Sequence, residues 1–267
     1  MNSALALLRE EEHISVSALN TYIRCPKQWQ HRYLLKTEAS HRASALAFGT
    51  AIHKALAAHY EALKDGKEEL SHEALSTVFR DSWAFQLEGE VPVLLSDKES
   101  VDGLTDTGIK MLEVFLDKAP RYAGVAEVEM PWSIELVDEQ TGEALPRLVG
   151  VFDAVVRNGD GGYLVLEHKT GARRFSEDRV AYDTQVTVYG LAAKLMGLGE
   201  APVAIQLLTK TKNPAFELYE TRRTAADRKD FIEMAVGVTR AIKAGAFYPV
   251  RDWPCRGCEY AHRCVAG

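Results

Sequence analysis

The chain has 267 residues, 46% of them hydrophobic, with 38 acidic against 32 basic side chains and a net charge of −6. That apolar fraction excludes disordered and collagen-like chains, and the length suits a single generous domain over 1–267. The negative balance argues against a general polyanion binder, although affinity for phosphates follows local basic clusters rather than the total. From the N-terminus, Ser15 offers a cap for a short helix at residues 18–23 that Pro26 interrupts, and a second short helix follows at 28–35. Phe48, Ile52, Ala55, Leu56, His59 and Leu63 recur at helical spacing and predict a helix over 45–63. Residues 71–87 and 98–118 read as two further helices, with Val91-Pro92-Val93 and the Gly103 region as connecting loops. After Pro120 the pattern changes to apolar and β-branched runs at 125–130, 148–156 and 163–167, adjacent strands of one meander. Turns such as Asn158-Gly159-Asp160-Gly161-Gly162 separate them. A helix over 180–198, strands at 203–209 and 216–221, and a helix over 225–244 come next, before a turn-rich tail at 253–264. That order describes an α/β chain: a mixed β-sheet flanked by helices, with a helical insertion at 71–118 ahead of it.

The sharpest local feature is Asp153, read as ending one strand, with Glu167-His168-Lys169 at the end of the next. Glu167 and Lys169 are two apart on a strand and project from one face, and Asp153 can lie beside them across the hairpin. Two converging carboxylates are what a hard divalent cation such as magnesium needs. Lys169 next to them suits a cation that stabilises transition-state charge or positions an attacking water. For any one of these residues an ordinary charged hairpin end is the better reading. For the set, including a turn at Thr170-Gly171, the chemical reading is better. Gln185 and Tyr189 stand at i and i+4 and share a helix face. His53 lies beside its helix's apolar stripe, with small Gly49 and Ala57 next to it, and by itself would carry little weight.

The set His53, Gly150-Val151-Phe152-Asp153, Glu167-His168-Lys169 and Gln185-Val186-Thr187-Val188-Tyr189 resembles the PD-(D/E)XK nuclease superfamily, and within it the RecB-type branch. The motifs of that branch are a helical His, G-x-x-D, [D/E]-x-K and Q-x-x-x-Y, in this order. The resemblance implies a restriction-endonuclease-like fold with magnesium or manganese bound by His53, Asp153, Glu167 and the main-chain carbonyl of His168. It implies Lys169 as the catalytic cation, with Gln185 and Tyr189 lining the site near DNA. The triplet alone is common, whereas all four motifs in order over 49–189 are specific.

Cys25 stands alone in Cys25-Pro26-Lys27-Gln28-Trp29, while Cys255, Cys258 and Cys264 are packed at the other end as C-x2-C-x5-C. Four cysteines are sparse for a disulfide scaffold of this length. No apolar run is long enough to span a bilayer, and the Ala/Leu stretch before Glu12 lacks a signal-peptide cleavage site. A soluble cytoplasmic protein with reduced thiols and no membrane partner is expected. Thiolates ligate both iron–sulfur clusters and structural zinc, and spacing alone leaves the metal open. The arrangement resembles the iron–sulfur subgroup of the same nucleases, the AddB-like domains and CRISPR-associated exonucleases, in which an early C-P-x-x-[WF] and a terminal C-x2-C-x5-C hold a [4Fe-4S] cluster. It implies that Cys25, Cys255, Cys258 and Cys264 hold such a cluster in a structural role, in a region of residue 25 and 253–264 joining the termini. The resemblance runs from about Ser15 to Cys264, with no matching motif in 71–118.

Positive charge gathers at Arg24, Lys27, Arg32, Lys36 and Arg42, and again at Arg173 and Arg174. Tyr22, Trp29 and Tyr33 interleave the first group and could stack on unpaired bases or equally serve as core. Arg24, Lys27, Trp29, Arg32, Arg173 and Arg174 are the expected DNA contacts. No base-reading motif is present, so binding through phosphates, independent of sequence and sensitive to salt, is expected. The resemblance implies a magnesium- or manganese-dependent DNA exonuclease acting on single strands or ends in recombination, repair or replication. The chain carries no G-x-x-x-x-G-K-[ST] motif and so no motor of its own; recombination, helicase or CRISPR-adaptation proteins are partners to expect beside DNA. The alternatives are a CRISPR-adaptation nuclease trimming spacer precursors and a non-catalytic DNA-end-binding scaffold. Intact His53, Asp153, Glu167 and Lys169 argue against the scaffold.

Overall fold

Strand β1 (His13–Ile14) leads to α1 (Val16–Arg24), started by Ser15 Oγ, which accepts from the Ala18 amide. Pro26 occupies the first position of α2 (Pro26–Trp29), which runs on into one π-type turn (Gln30–Leu34). Then follow β2 (Arg42–Ala43), α3 (Ser44–Lys64), α4 (His72–Leu87), β3 (Val93–Leu94) and α5 (Val101–Lys118). Next come β4 (Gly124–Ile134), β5 (Arg147–Arg157), β6 (Tyr163–Gly171), α6 (Glu177–Ala181) and α7 (Thr184–Leu195). The chain ends in β7 (Val203–Thr209), β8 (Phe216–Thr221), α8 (Ala225–Lys243), a 3₁₀ turn (Trp253–Gly257) and α9 (Ala261–Cys264). The computed structural model describes residues 8, 12–138, 140–159 and 161–264. Asp160 of the hairpin turn and, Leu8 apart, the N-terminal Ala/Leu stretch lie outside the described residues.

Several local readings change. Gly103 is not in a loop: it lies in the first turn of α5, where its amide donates to the capping Ser100 Oγ. Val93 belongs to the short strand β3. Asp153 sits within β5 rather than at its end, and Thr170-Gly171 continue β6 rather than turning. The helix read over 180–198 is two helices, because the Asp183 carboxylate accepts from the Val186 amide and starts α7 afresh.

The described residues form two compact units. One takes those up to Arg42, Pro131–Gly150 and those from Thr224 on. Here β1 runs parallel to the start of β5, His13 opposite Arg147 and Ile14 opposite Leu148. Gly150 explains itself by packing: a Cβ there would stand 2.2 Å from Cζ2 of the buried Trp132. The first residue of G-x-x-D is glycine because an indole occupies its side-chain space.

The other unit takes Ala43–Met130 and Val151–Arg223 and holds most of a mixed sheet. In it β5 is antiparallel to β6, β6 parallel to β7, and β7 antiparallel to β8. Every residue of β7 is buried, so the strand reads as one nearly continuous apolar run. Helices α3 and α7 both pack on β6 and use its alternation. Leu164 and Leu166 join the core with Phe48, Ile52 and Leu56 of α3. Lys169 instead reaches Gln185 of α7. Residues of α4 and α5, among them Phe79, Met111 and Phe115, complete that core. Gly108 lets the two helices close, since a Cβ there would collide with the Phe79 ring at 2.2 Å.

The loop ahead of α5 is pinned by Glu99, which accepts from Ser44 Oγ (2.8 Å) and the Ser96 amide (3.0 Å), and pairs with Lys210 Nζ (2.8 Å). Burial pushes this carboxyl up, but Lys210 and the Ser96 and Ser44 hydrogen bonds prevail and hold it down at about 2. Among the described residues, no helix is long and apolar enough to cross a membrane.

Candidate functional site

The site is assembled on β5, β6, α3 and α7. Gly49 of α3 packs over β6, where a Cβ would lie 3.4 Å from Thr170 Oγ1, an ordinary contact, and one turn on His53 reaches the sheet at Asp153. The β5–β6 register, Ala154 opposite Leu166, brings Asp153 beside Glu167. The Asp153 Oδ2 accepts from the His168 amide at 2.7 Å, and Oδ1 lies 3.3 Å from His53 Nδ1. Lys169 Nζ stands 2.5 Å from Glu167 Oε1 and donates to Gln185 Oε1 at 2.5 Å. Gln185 Nε2 donates to the Tyr189 hydroxyl (3.0 Å), which donates to the Val151 carbonyl (2.5 Å). In the site these six side chains thus form two linked sets on adjacent strands, His53 with Asp153, and Glu167 with Lys169, Gln185 and Tyr189.

Its electrostatics are those of two carboxylates held too close for both to ionise freely. Burial raises the Glu167 carboxyl; Lys169 pulls it down and Asp153 pushes it up, leaving it at about 7. Burial also opposes ionisation of Asp153, but His53 and the His168 amide overcome it and hold that carboxyl far below its ordinary range. For His53 burial favours the neutral ring, yet Asp153 and then Glu167 raise it to about 9. Lys169 is desolvated too, and Glu167 keeps it charged. Tyr189 is pushed well up, by burial first and then by the two carboxylates.

A hard divalent cation fits these residues. Glu167 Oε2 is buried with no hydrogen-bond partner, and a second carboxylate stands beside it. Among the described residues no three His, Cys, Asp or Glu side chains gather as a metal-holding group. His53 and Lys169 engage Asp153 Oδ1 and Glu167 Oε1. Magnesium is commonly bound through one or two carboxylates, with waters and substrate phosphates completing its shell, and needs no such group.

Two supporting residues escaped the sequence reading. The buried His168 ring stacks on Tyr60 at 5.4 Å, and Tyr60 donates to Gln206 Oε1 at 3.1 Å. Gln206 lies opposite His168 in the parallel β6–β7 pair and donates to the Tyr122 hydroxyl. The available signals were Tyr60 two turns after His53 and a lone glutamine inside the apolar run of β7. Burial holds His168 down at about 4, so its ring is neutral and packs as an aromatic.

In the other unit, Cys25, Cys255, Cys258 and Cys264 line one cavity of about 360 Å³ with Gln28, His31 and Tyr260. The four are free thiols, and Cys255 is exposed. Burial raises the Cys258 thiol, and the neighbouring Glu259, Cys25 and Cys255 push the same way. Gln28 and Arg32 both bond the Glu259 carboxylate, and His31 stacks on Tyr260, so α2 and its π-turn are tied to the tail. The four thiols share this concavity, although among the described residues no three of them gather closely enough to form a metal-holding group.

The family model for the PD-(D/E)XK nuclease superfamily matches residues 13–265. The chain belongs to this superfamily. Its mixed sheet flanked by helices is consistent with the restriction-endonuclease-like fold, and nucleases of this kind typically use divalent metals such as magnesium or manganese. Among solved structures, a candidate exonuclease from Eubacterium rectale is similar to this PD-(D/E)XK chain at TM-score 0.59. That match is 14% identical and covers 96% of this chain and 88% of that one. A second, SSO0001, is 17% identical over 94% of this chain and 95% of that one, with a TM-score of 0.41. No curated protein matches the sequence.

The basic and aromatic residues expected at DNA occupy varied settings in this superfamily member. Arg24 donates to Gln28, Lys27 to Gln30, and Arg32 pairs with Glu259. Trp29 stacks face to face on Phe247 at 5.7 Å, with Tyr22 and Tyr33 also against it. Arg173 and Arg174 are exposed, and Arg174 pairs with Glu217 at 2.8 Å.

Proposed function

We propose that this PD-(D/E)XK protein is a magnesium- or manganese-dependent DNA exonuclease that degrades single strands or exposed ends without reading sequence. The observation that carries this reading is the Asp153–Glu167–Lys169 constellation, with an unpartnered buried Glu167 oxygen beside a second carboxylate. Asp153, Glu167, His53 and the His168 carbonyl are the residues that would hold the ion. When bound, the ion supplies Lewis acidity to the scissile phosphate and acidifies a water. Lys169, fixed by Gln185, orients that water and offsets charge developing on the phosphate oxygens. Tyr189 locks Gln185 in turn by anchoring it to the Val151 carbonyl.

The four cysteines bind a structural [4Fe-4S] cluster in this reading, supported by their shared cavity. Residues 71–118 act as an insertion in a single nuclease domain, and Arg24, Lys27, Trp29, Arg32, Arg173 and Arg174 are the residues that contact DNA in this reading. Recombination, helicase or CRISPR-adaptation proteins are the partners in this reading. The test is degradation of end-labelled linear and closed circular single strands of one sequence, with Mg²⁺, Mn²⁺ or EDTA. Linear DNA is expected to be shortened from its ends with either metal, circular DNA to survive, and EDTA to stop the reaction. Cleavage of circles at the same rate would make the enzyme an endonuclease, and cleavage in EDTA would remove the metal from the account.

A further inference from the structure

Tyr182 stands at the break between α6 and α7, and its ring is 83% exposed. A single exposed aromatic is ordinary on a protein surface. This one differs in how firmly its backbone is held and in its neighbours along the chain. The Tyr182 amide donates to the Asp178 carbonyl at 2.9 Å. On either side, Arg223 Nη2 donates to the Val180 carbonyl at 2.6 Å and the Asp183 carbonyl at 3.4 Å, while its Nε donates to Thr187 Oγ1. Asp183, the next residue, caps α7, and three residues after Tyr182 comes Gln185, whose Oε1 holds the Lys169 ammonium. The nearby aromatics are already engaged: Phe175 stacks on Tyr219 and carries the Arg179 guanidinium 3.7 Å above its ring. Exposed Arg173 and Arg174 lie between Lys169 and this break in the chain and offer charge to a phosphate backbone.

We propose that Tyr182 is a positioning residue on which an unpaired base of the substrate strand stacks beside the cleavage centre. The proposal rests on the nuclease reading above and adds a substrate preference to it, because only a strand with unstacked bases can present a ring face to this phenol. A pinned backbone makes such a post useful: the main chain that carries the ring is already ordered before a strand arrives, which lowers the ordering left to lose on binding.

The test is steady-state cleavage of a linear single strand, and of the same strand with abasic sugars near its end, by the wild type, Tyr182→Ala and Tyr182→Trp. On the normal strand, Tyr182→Ala is expected to raise KM about tenfold with kcat nearly unchanged, and Tyr182→Trp to keep the wild-type KM. On the abasic strand all three proteins should share one KM. An unchanged KM for Tyr182→Ala, or an equal rise on both strands, overturns the stacking role while leaving the nuclease reading intact. A wild type that cleaves neither strand with magnesium or manganese overturns both.

Discussion

Lys169→Ala is expected to slow single-turnover DNA cleavage by about 10²–10³-fold while the protein still binds DNA. Two effects add. The variant loses the cation proposed to face the reacting phosphate, and it leaves Glu167 buried beside Asp153 without its counter-charge. The second effect gives the pH profile its sign. Glu167 ligates a cation only when ionised, and its carboxyl is raised to about 7. Metal binding therefore displaces a proton from Glu167 and, where His53 (raised to about 9) also ligates, a second one. The apparent Mn²⁺ affinity of the wild type should then weaken about tenfold per pH unit between about 9 and 7 and about a hundredfold per unit below that. In Lys169→Ala the inflection should move to higher pH, because the group that pulls Glu167 down is gone. Quenched-flow cleavage with Mn²⁺ titrations between pH 6 and 9 reads both. A variant with wild-type rate, or an inflection that moves down, would show that Lys169 does not serve this carboxylate.

If the four cysteines hold the proposed cluster, Cys258→Ser should remove the visible absorbance of anaerobically purified protein, lower its thermal midpoint and leave fewer irons per chain. Cys25 and Cys264 lie near opposite ends of the sequence, and a cluster joining them closes almost the whole chain into one loop. Binding energy at such a site is folding energy, so losing a ligand acts on stability as well as colour. The half-buried Cys258 is the informative choice because its thiol is coupled to both Cys25 and Cys255 across the cavity. Absorbance, iron content and a thermal scan decide the matter. A colourless wild type carrying one zinc would replace the cluster with a structural zinc site, and a brown Cys258→Ser variant would exclude Cys258 from the ligand set.

The features legible in the sequence arise from short periodicities. Glu167 and Lys169 share a strand face through a period of two, and Gln185 and Tyr189 share a helix face through i and i+4; both pairs meet in the structure. The order of strands and helices was legible for the same reason. Features set by packing across long sequence separations were not. The Gly150 requirement comes from Trp132, the Tyr60 and Gln206 support for His168 from two different elements, and the Glu99 anchor from Ser44 and Lys210. Asp153 looked like a strand end because a carboxylate interrupts an apolar run, yet the strand continues because the His168 amide and His53 satisfy that carboxylate. The break at Tyr182-Asp183 was hidden by apolar residues on both sides, and only the capping geometry of Asp183 exposes it.

The central claim is that Asp153 and Glu167 form the metal-dependent cleavage centre. It is tested most directly by the cleavage rate of an end-labelled linear single strand at saturating Mn²⁺, for the wild type and for Glu167→Ala with its fold checked by circular dichroism. Rapid, EDTA-sensitive shortening by the wild type and none by the variant is expected; a folded Glu167→Ala protein that shortens the strand at the wild-type rate would show that these carboxylates do not form the cleavage centre.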